Sequence, residues 1–179
     1  MSYDVLESKE MYKGKILKIL SDKVTMPNGD IATRETVVRG NAAAIVACDE
    51  NGYITFVRQY RHPAKKMILE IPAGMLEENE DPKVAAIREL EEETGIKAED
   101  VHLINAMYAS VGICTEKIYI YIAEGLSQGQ QNLDPDEFVE IEKYTLDEAI
   151  NMIFDGRICD SKTIAGLLSF KEYLNRKNK

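Results

Sequence analysis

The sequence predicts an α+β fold, in which strands and helices form separate layers. The chain has 179 residues, enough for a domain with a full hydrophobic core. Its composition, 45% hydrophobic and 30% charged, is that of a globular protein. Strand patterns precede and follow one well-capped helix, and two more helix patterns close the chain. This order favours α+β layers over an alternating parallel sheet.

The first forty residues are β-rich. Apolar residues at mixed spacing predict a strand over 16–25, and residues 32–38 predict the returning strand. Between them, Asn28-Gly29 is a strong hairpin-turn signal. These signals predict an antiparallel hairpin near the N-terminus, and the sequence shows no obvious domain break.

The middle of the chain predicts three strands and a helix. The strands cover Ala42–Cys48, 53–60 and 67–71. The helix covers Pro82–Thr94, because Asp81 can cap its first turn and proline is favoured at the first helical position. Gly95 follows as a C-terminal stop.

Strands and two helices complete the chain. Residues 101–109, 117–123 and 138–143 predict strands, and the second alternates clearly between isoleucine and tyrosine. Thr145 can cap a helix that ends near residue 154. Asp160 or Ser161 opens a last helix that ends near residue 174.

Composition also excludes classes of function. The net charge of −9 argues against a nucleic-acid partner, which wants a basic surface. No apolar run approaches the roughly 20 residues that cross a bilayer, and the polar N-terminus lacks a secretory signal, so we expect a cytoplasmic protein without a membrane partner. The three cysteines, Cys48, Cys114 and Cys159, form no CxxC pair and are expected to be buried thiols.

Three glutamates in the first helix carry the chemical signal. Glu89, Glu92 and Glu93 have the i, i+3, i+4 spacing that places them on one helix face. Either water solvates them, as is usual for charge runs, or a hard divalent cation lies among them. The apolar positions of the helix, the neighbouring cation Arg88, and Gly74, where a backbone can approach a ligand closely, favour the second interpretation.

The segment 74–96 resembles the Nudix box. Its pattern is Gly, five residues, Glu, seven residues, Arg-Glu, an aliphatic, any residue, Glu-Glu, any residue, Gly and an aliphatic. The resemblance implies the Nudix fold, a mixed sheet between helices, and hydrolysis of a nucleoside diphosphate linked to another group. The matching residues are Gly74, Glu80, Arg88, Glu89, Leu90, Glu92, Glu93, Gly95 and Ile96.

The resemblance also implies a metal site. Glu89 and Glu93 are the first choices as ligands of Mg²⁺ or Mn²⁺, followed by Glu92, and two or more ions are expected. The carbonyl of Ala73 resembles an additional ligand, and Glu80 supports the box through Arg88. Glu116 matches a loop glutamate that adds a metal contact or orients the attacking water. The catalytic residues that follow from this are Glu93, Glu92, Glu89, Glu116 and Arg88.

Segments outside the box resemble the ADP-ribose pyrophosphatase branch of the family. They are Arg34-Glu35, the RQYR segment 58–61, the LEIPAG segment 69–74 and the DSKT segment 160–163. The resemblance places Arg58 or Arg61, together with Glu70, by the phosphates and ribose, and Arg34 with Glu35 near the adenine. Gly74 and Ser110 complete the predicted substrate-binding set. Val111 replaces the proline usual in the branch, which leaves other sugars open.

The preferred function is therefore Mg²⁺-dependent hydrolysis of a nucleoside diphosphate sugar, with ADP-ribose giving AMP and ribose 5-phosphate. Hydrolysis of GDP-mannose or another nucleotide sugar is the alternative, and a non-catalytic nucleotide-binding module is the alternative from another class. The resemblance also divides the chain, because residues 1–40 have no counterpart in minimal Nudix domains: they form an N-terminal antiparallel β extension, and residues 41–179 form the Nudix domain. In the ADP-ribose branch this extension helps to build a dimer, so the resemblance implies a homodimer.

Overall fold

The computed structural model describes residues 3–135 and 137–177. Strands and helices follow the order β-rich extension, sheet, helix, sheet, two helices, as expected. The elements are β1 (Asp4–Lys13), β2 (Lys18–Thr25), β3 (Ile31–Val38), β4 (Ala42–Cys48), β5 (Tyr53–Arg61), β6 (Lys66–Glu70), β7 (Ala73–Met75), α1 (Pro82–Thr94), β8 (Ile96–Tyr108), β9 (Lys117–Gln128), β10 (Val139–Thr145), α2 (Leu146–Phe154) and α3 (Ser161–Lys177).

The chain divides into two units. One contains the residues up to Asn41 together with Tyr108–Lys117, and the other contains Ala42–Met107 and the residues from Ile118 onward. The first unit thus includes Tyr108–Lys117 together with the N-terminal strands. The division into a 1–40 extension and a 41–179 domain stays a prediction.

The first unit contains an antiparallel sheet in the order β1-β2-β3. β2 and β3 form the predicted hairpin, in register from Lys18–Val38 to Thr25–Ile31, and Gly29 takes a left-handed φ of 87° in the turn. The sequence analysis did not identify β1 separately. All ten of its residues are exposed, so it lacks the alternation of buried and polar residues that marks a strand in sequence.

The second unit is built on a mixed sheet. Its strands run in the order β10-β5-β4-β9-β8, with β6 paired to β5 and β7 to β4. β4 and β9 are parallel, whereas β4 pairs antiparallel with β5 and β7. Most strands have the predicted positions, but β7 was not predicted. β8 begins at Ile96, five residues before its predicted start, and β9 continues to Gln128, five residues past its predicted end.

Helices cover both faces of this sheet. Ala43, Ile45 and Ala47 of β4 share a buried cluster with Ala86 and Leu90 of α1. On the other face, Gly166 of α3 packs closely on the sheet. A Cβ atom at residue 166 would lie 3.2 Å from the Val46 side chain and 3.4 Å from the Ile120 side chain. Since alternate strand residues point to opposite faces, β4 contributes to both layers. The predicted α+β architecture, a mixed sheet between helices with an antiparallel N-terminal sheet, is confirmed.

The helix that carries the acidic run begins and ends at the predicted residues. The Asp81 carboxylate accepts hydrogen bonds from the backbone N–H groups of Lys83 and Val84, and Pro82 opens the first turn. Gly95 ends the helix with a left-handed φ of 69°. Across residues 3–135 and 137–177, no helix is both long and apolar enough to cross a bilayer.

Candidate active site

Two carboxylates of α1 point into the protein. Glu89 and Glu93 are only 9% and 1% exposed, although glutamate is rarely buried without a partner. They are four residues apart, and the face they share also buries Ala85, Ala86 and Leu90. Glu92 lies at the rim, with 35% of its side chain exposed. The solvated-face interpretation of the acidic run therefore does not hold for Glu89 and Glu93.

Glu93 is held by the segment that precedes the box. The backbone N–H of Ala73 donates to Glu93 Oε2 over 3.0 Å. Burial raises the Glu93 pKa to about 8, and the charges of Glu89 and Glu137 act in the same direction. A cation bound beside Glu93 would lower this pKa, because a positive charge stabilises the ionised carboxylate.

Glu89 packs against Gly74. A Cβ atom at residue 74 would overlap both oxygens and the terminal carbon of the Glu89 carboxylate. Gly74 therefore leaves the space that the Glu89 carboxylate occupies. Burial is the main cause that raises the Glu89 pKa, and the nearby charge of Glu92 adds to it.

Arg88 connects the carboxylates of the box. Its Nε contacts Glu80 at 2.9 Å, and its Nη1 contacts Glu89 at 2.7 Å and Glu92 at 2.8 Å. Its Nη2 also donates to the Met75 carbonyl over 3.2 Å. The guanidinium thus holds three carboxylates and the end of β7 in one arrangement, since its planar fork can serve several acceptors at once.

The donor set suits a hard divalent cation. Glu89, Glu93 and the Ala73 carbonyl supply oxygen atoms alone, which Mg²⁺ and Mn²⁺ prefer. Among the described residues, no three Asp, Glu, His or Cys side chains already form a metal-holding group. Glu89 and Glu92 contact Arg88 instead. The chemistry of the oxygen donors nevertheless fits the ion.

The two arginines of the RQYR segment lie on opposite faces of β5. Arg61 forms a two-point contact with Glu70, with both N–O distances 2.7 Å, and its pKa also responds to the charge of Glu93. Arg58 instead pairs with Glu142 of β10. Residues three apart on a strand point to opposite sides, so Arg61, not Arg58, shares a face with Glu70.

Four predicted residues lie in the first unit. Arg34 donates to the Thr33 carbonyl over 3.0 Å. Glu116 lies 3.4 Å from Arg39, and its side chain is 12% exposed. The structure describes these positions within their own unit, and the substrate and metal roles of Arg34, Glu35, Ser110 and Glu116 stay predictions.

Two charged residues near the box were not singled out by the sequence analysis. The charge of Glu137, in the segment between β9 and β10, raises the pKa values of both Glu89 and Glu93. Lys162, in the first turn of α3, contacts Glu70. Lys162 falls within the DSKT segment that resembles the ADP-ribose branch, but nothing in the sequence pattern pairs it with Glu70.

The segment after β9 also supports the end of α1. The Gln131 side chain donates to the Glu93 carbonyl over 2.8 Å, and the Asn132 N–H donates to the Glu92 carbonyl over 3.0 Å. The Gly129 N–H donates to the Gly95 carbonyl over 2.7 Å. These bonds satisfy carbonyl groups that a helix end leaves without intrahelical partners.

Comparison with known proteins agrees with this geometry. A family profile described as the NUDIX domain matches residues 38–167. The chain belongs to the Nudix family. It is a Nudix hydrolase, and the box of this family is the loop–helix–loop from Gly74 to Ile96 described above.

Relatives of this Nudix chain have several names. A methanol dehydrogenase activator of Bacillus methanolicus is 42% identical over 96% of this chain and 95% of its own length. An ADP-ribose pyrophosphatase of Bacillus subtilis is 38% identical over 94% of each chain. A GDP-mannose pyrophosphatase of Yersinia enterocolitica is 37% identical over 73% of each chain. The predicted resemblance to the ADP-ribose pyrophosphatase branch is confirmed.

The fold itself matches a solved structure. The crystal structure of an ADP compounds hydrolase superposes with a TM-score of 0.90 and covers 99% of this chain and 96% of its own. The sequences are 19% identical, so this match shows the shared Nudix fold.

Proposed function

We propose that this Nudix hydrolase cleaves the diphosphate of a nucleoside diphosphate sugar with the help of Mg²⁺, and that ADP-ribose is the preferred substrate. The observation that carries the proposal is the buried pair Glu89 and Glu93, arranged around Gly74 and Ala73. Although Arg88 pairs with Glu89, the two buried carboxylates still repel one another, and the charge of Glu89 helps to raise the Glu93 pKa. A divalent cation bound by these carboxylates would offset that repulsion.

The reaction is a transfer of the phosphoryl group to water. The water oxygen forms a bond to one phosphorus, and the bond from that phosphorus to the bridging oxygen breaks, so ADP-ribose gives AMP and ribose 5-phosphate. Bound Mg²⁺ would supply charge neutralisation on the phosphate oxygens and activation of water. Glu89, Glu93 and the Ala73 carbonyl would hold it, with Glu92 as a further ligand.

A carboxylate of the site accepts the proton that water loses. Glu137 is the candidate within this unit that is not assigned to the metal, because its charge acts on both Glu89 and Glu93. Arg88 keeps the glutamates in place through its contacts with Glu80, Glu89 and Glu92. Arg61, held by Glu70, presents a cation beside the metal-binding helix for an anionic group of the substrate.

ADP-ribose is preferred because the segments outside the box match that branch. The relative from Bacillus subtilis named an ADP-ribose pyrophosphatase aligns over 94% of this chain, whereas the GDP-mannose pyrophosphatase aligns over 73%. GDP-mannose therefore remains the alternative substrate. A panel of ADP-ribose, GDP-mannose and other nucleotide sugars, assayed with Mg²⁺ by product chromatography, tests the preference. Faster release of GMP from GDP-mannose than of AMP from ADP-ribose would reverse it.

A second candidate function comes from the relative at 42% identity, which is named a methanol dehydrogenase activator. This chain could activate a dehydrogenase through its hydrolysis of a nucleotide, or by binding the dehydrogenase without any hydrolysis. Adding the wild type and an E93Q variant to a methanol dehydrogenase assay separates these cases. A rate increase with both proteins indicates binding alone, and an increase with the wild type alone requires hydrolysis. No increase with either rejects this candidate.

We also propose that the chain forms a homodimer through its N-terminal strands. All ten residues of β1 are exposed, and they include Val5 at 61% and Met11 at 57%. Ile31 of β3 is 66% exposed. A long exposed edge strand with apolar side chains favours pairing with another chain. Light scattering of the wild type and of a V5D/M11D variant tests this, and a monomeric wild type would refute it.

A further inference from the structure

A charged network joins α3 to the strand that leads into the box. Glu70 at the end of β6 is 2% exposed, and it contacts Arg61 and Lys162. Lys162 is also close to Asp160, at 3.0 Å, and only 12% of its side chain is exposed. Arg61 and Lys162 therefore share the buried Glu70 carboxylate. Arg61 belongs to β5, whereas Lys162 belongs to α3, outside the predicted substrate-binding segments of β5 and β6.

Arg61 contacts both oxygens of the Glu70 carboxylate, and Lys162 shares one of them. Arg61 donates from Nε to Glu70 Oε1 and from Nη2 to Glu70 Oε2. This leaves the edge that carries Nη1 turned away from Glu70, and 41% of the Arg61 side chain is exposed. Lys162 donates to Glu70 Oε2. The lysine thus holds the carboxylate from the side of α3, so that its plane stays aligned with the guanidinium.

The N-terminus of α3 fixes Lys162 in turn. Asp160 accepts from the Thr163 N–H at 2.9 Å and from the Thr163 hydroxyl at 2.6 Å. The Thr163 oxygen accepts from the Ile71 N–H at 3.0 Å, one residue beyond Glu70. Lys162 therefore belongs to a rigid first turn, because a capped and buried helix start has little freedom.

We infer that Lys162 is a positioning residue for substrate binding: it fixes Glu70, and through Glu70 it aligns Arg61 towards an anionic group of the substrate. This inference rests on the proposed function, since the anionic group is a phosphate of the nucleoside diphosphate sugar. Lys162 acts on ground-state binding, so its loss changes KM and leaves kcat close to the wild-type value.

The test compares K162M with K162R, T163V and the wild type. The KM for ADP-ribose is expected to rise about tenfold in K162M, equal to about 1.4 kcal/mol, with kcat within about threefold. K162R keeps the charge and is expected to recover most of the loss. T163V removes the hydroxyl that links Asp160 and Ile71 but keeps the Lys162–Glu70 ion pair, so its KM should rise less than that of K162M even if its melting temperature falls. Should K162M not fold, K162Q takes its place with the same expected KM.

Coupling with Glu70 completes the test. If Lys162 acts through Glu70, adding K162M to E70Q raises KM little beyond E70Q alone. Three results would overturn the inference: an unchanged KM in K162M, an equal KM increase in T163V, or additive effects in the double variant. Failure of the proposed function is distinct from these, because the wild type would then hydrolyse none of the nucleotide sugars. In that event, calorimetric binding of AMP to the wild type and K162M still measures the effect on an anion.

Discussion

Replacing Gly74 by alanine should separate metal binding from folding. The new methyl group would overlap the carboxylate of Glu89, which must withdraw by roughly 1 Å or more to reach ordinary contact distance. The displaced atoms are the end of a flexible side chain, so the cost in stability is small. The contact at 2.7 Å from Arg88 to Glu89 weakens, and the reduced freedom of the unfolded chain offsets part of this loss.

The expected magnitudes differ for the two properties. Metal ligands tolerate displacements of only about 0.2 Å, so G74A should weaken Mn²⁺ binding about 10–100-fold. The free energy of unfolding should change by less than about 1 kcal/mol, which shifts the melting temperature by at most about 4 °C. Manganese titration followed by electron paramagnetic resonance measures the first quantity, and thermal unfolding without metal measures the second.

Two controls make the result specific. G112A is the matched variant, because no heavy atom lies within 4 Å of the Cβ that it adds. It should bind Mn²⁺ as the wild type does. If G74A acts through Glu89, it should cause no further loss of affinity in an E89A background. Wild-type Mn²⁺ affinity in G74A would refute the reasoning, and so would a large loss of stability with unchanged affinity.

Three further outcomes are expected. E93Q should lower kcat about a hundredfold or more while circular dichroism shows an intact fold, and near-wild-type turnover at saturating Mg²⁺ would contradict the assignment. R88K should lower the free energy of unfolding by about 2–3 kcal/mol, because lysine cannot form the contacts that Arg88 makes with several carboxylates at once. Urea unfolding measures this, and an unchanged urea midpoint would exclude a structural role for Arg88. Burial alone would raise the Glu70 pKa, but Arg61 and Lys162 outweigh burial and lower the pKa below 4.5. The stability that the ionised Glu70 contributes is therefore complete above pH 4.5 and is lost as the pH falls through the Glu70 pKa of the folded protein. Urea unfolding from pH 6 to pH 3 should therefore show a weaker pH dependence in E70Q than in the wild type, and equal slopes would contradict this.

Local signals explain why α1 was predictable. Asp81, Pro82 and Gly95 act within a few residues of the helix ends, so the sequence alone locates the helix. The spacing of Glu89 and Glu93 likewise predicted a shared face. Their burial could not be read from the sequence, because an acidic run on a helix is usually solvated. It depends on packing against the strand that contains Ala73 and Gly74.

Long-range contacts explain what the sequence did not predict. Lys162 and Glu70 are 92 residues apart, and only the tertiary fold brings α3 to the end of β6. The sequence could not show which of Arg58 and Arg61 contacts Glu70, because this depends on the pairing of β5 with β6, in which Val57 lies opposite Glu70. β1 was missed for a different reason, since a strand with every residue exposed has no buried face to mark its period.

The amides that close the end of α1 have an electrical consequence. The last turn of this helix contains no basic residue, and neutral donors of Gln131 and Asn132 occupy the carbonyls of Glu93 and Glu92. These donors satisfy the carbonyls at the end of α1 but carry no charge, so they do not cancel the negative pole of the helix dipole. This negative pole adds to the attraction that the Glu93 carboxylate exerts on a cation. A lysine at residue 131 would neutralise that pole and should lower the affinity for divalent ions at low salt, whereas an asparagine there should not.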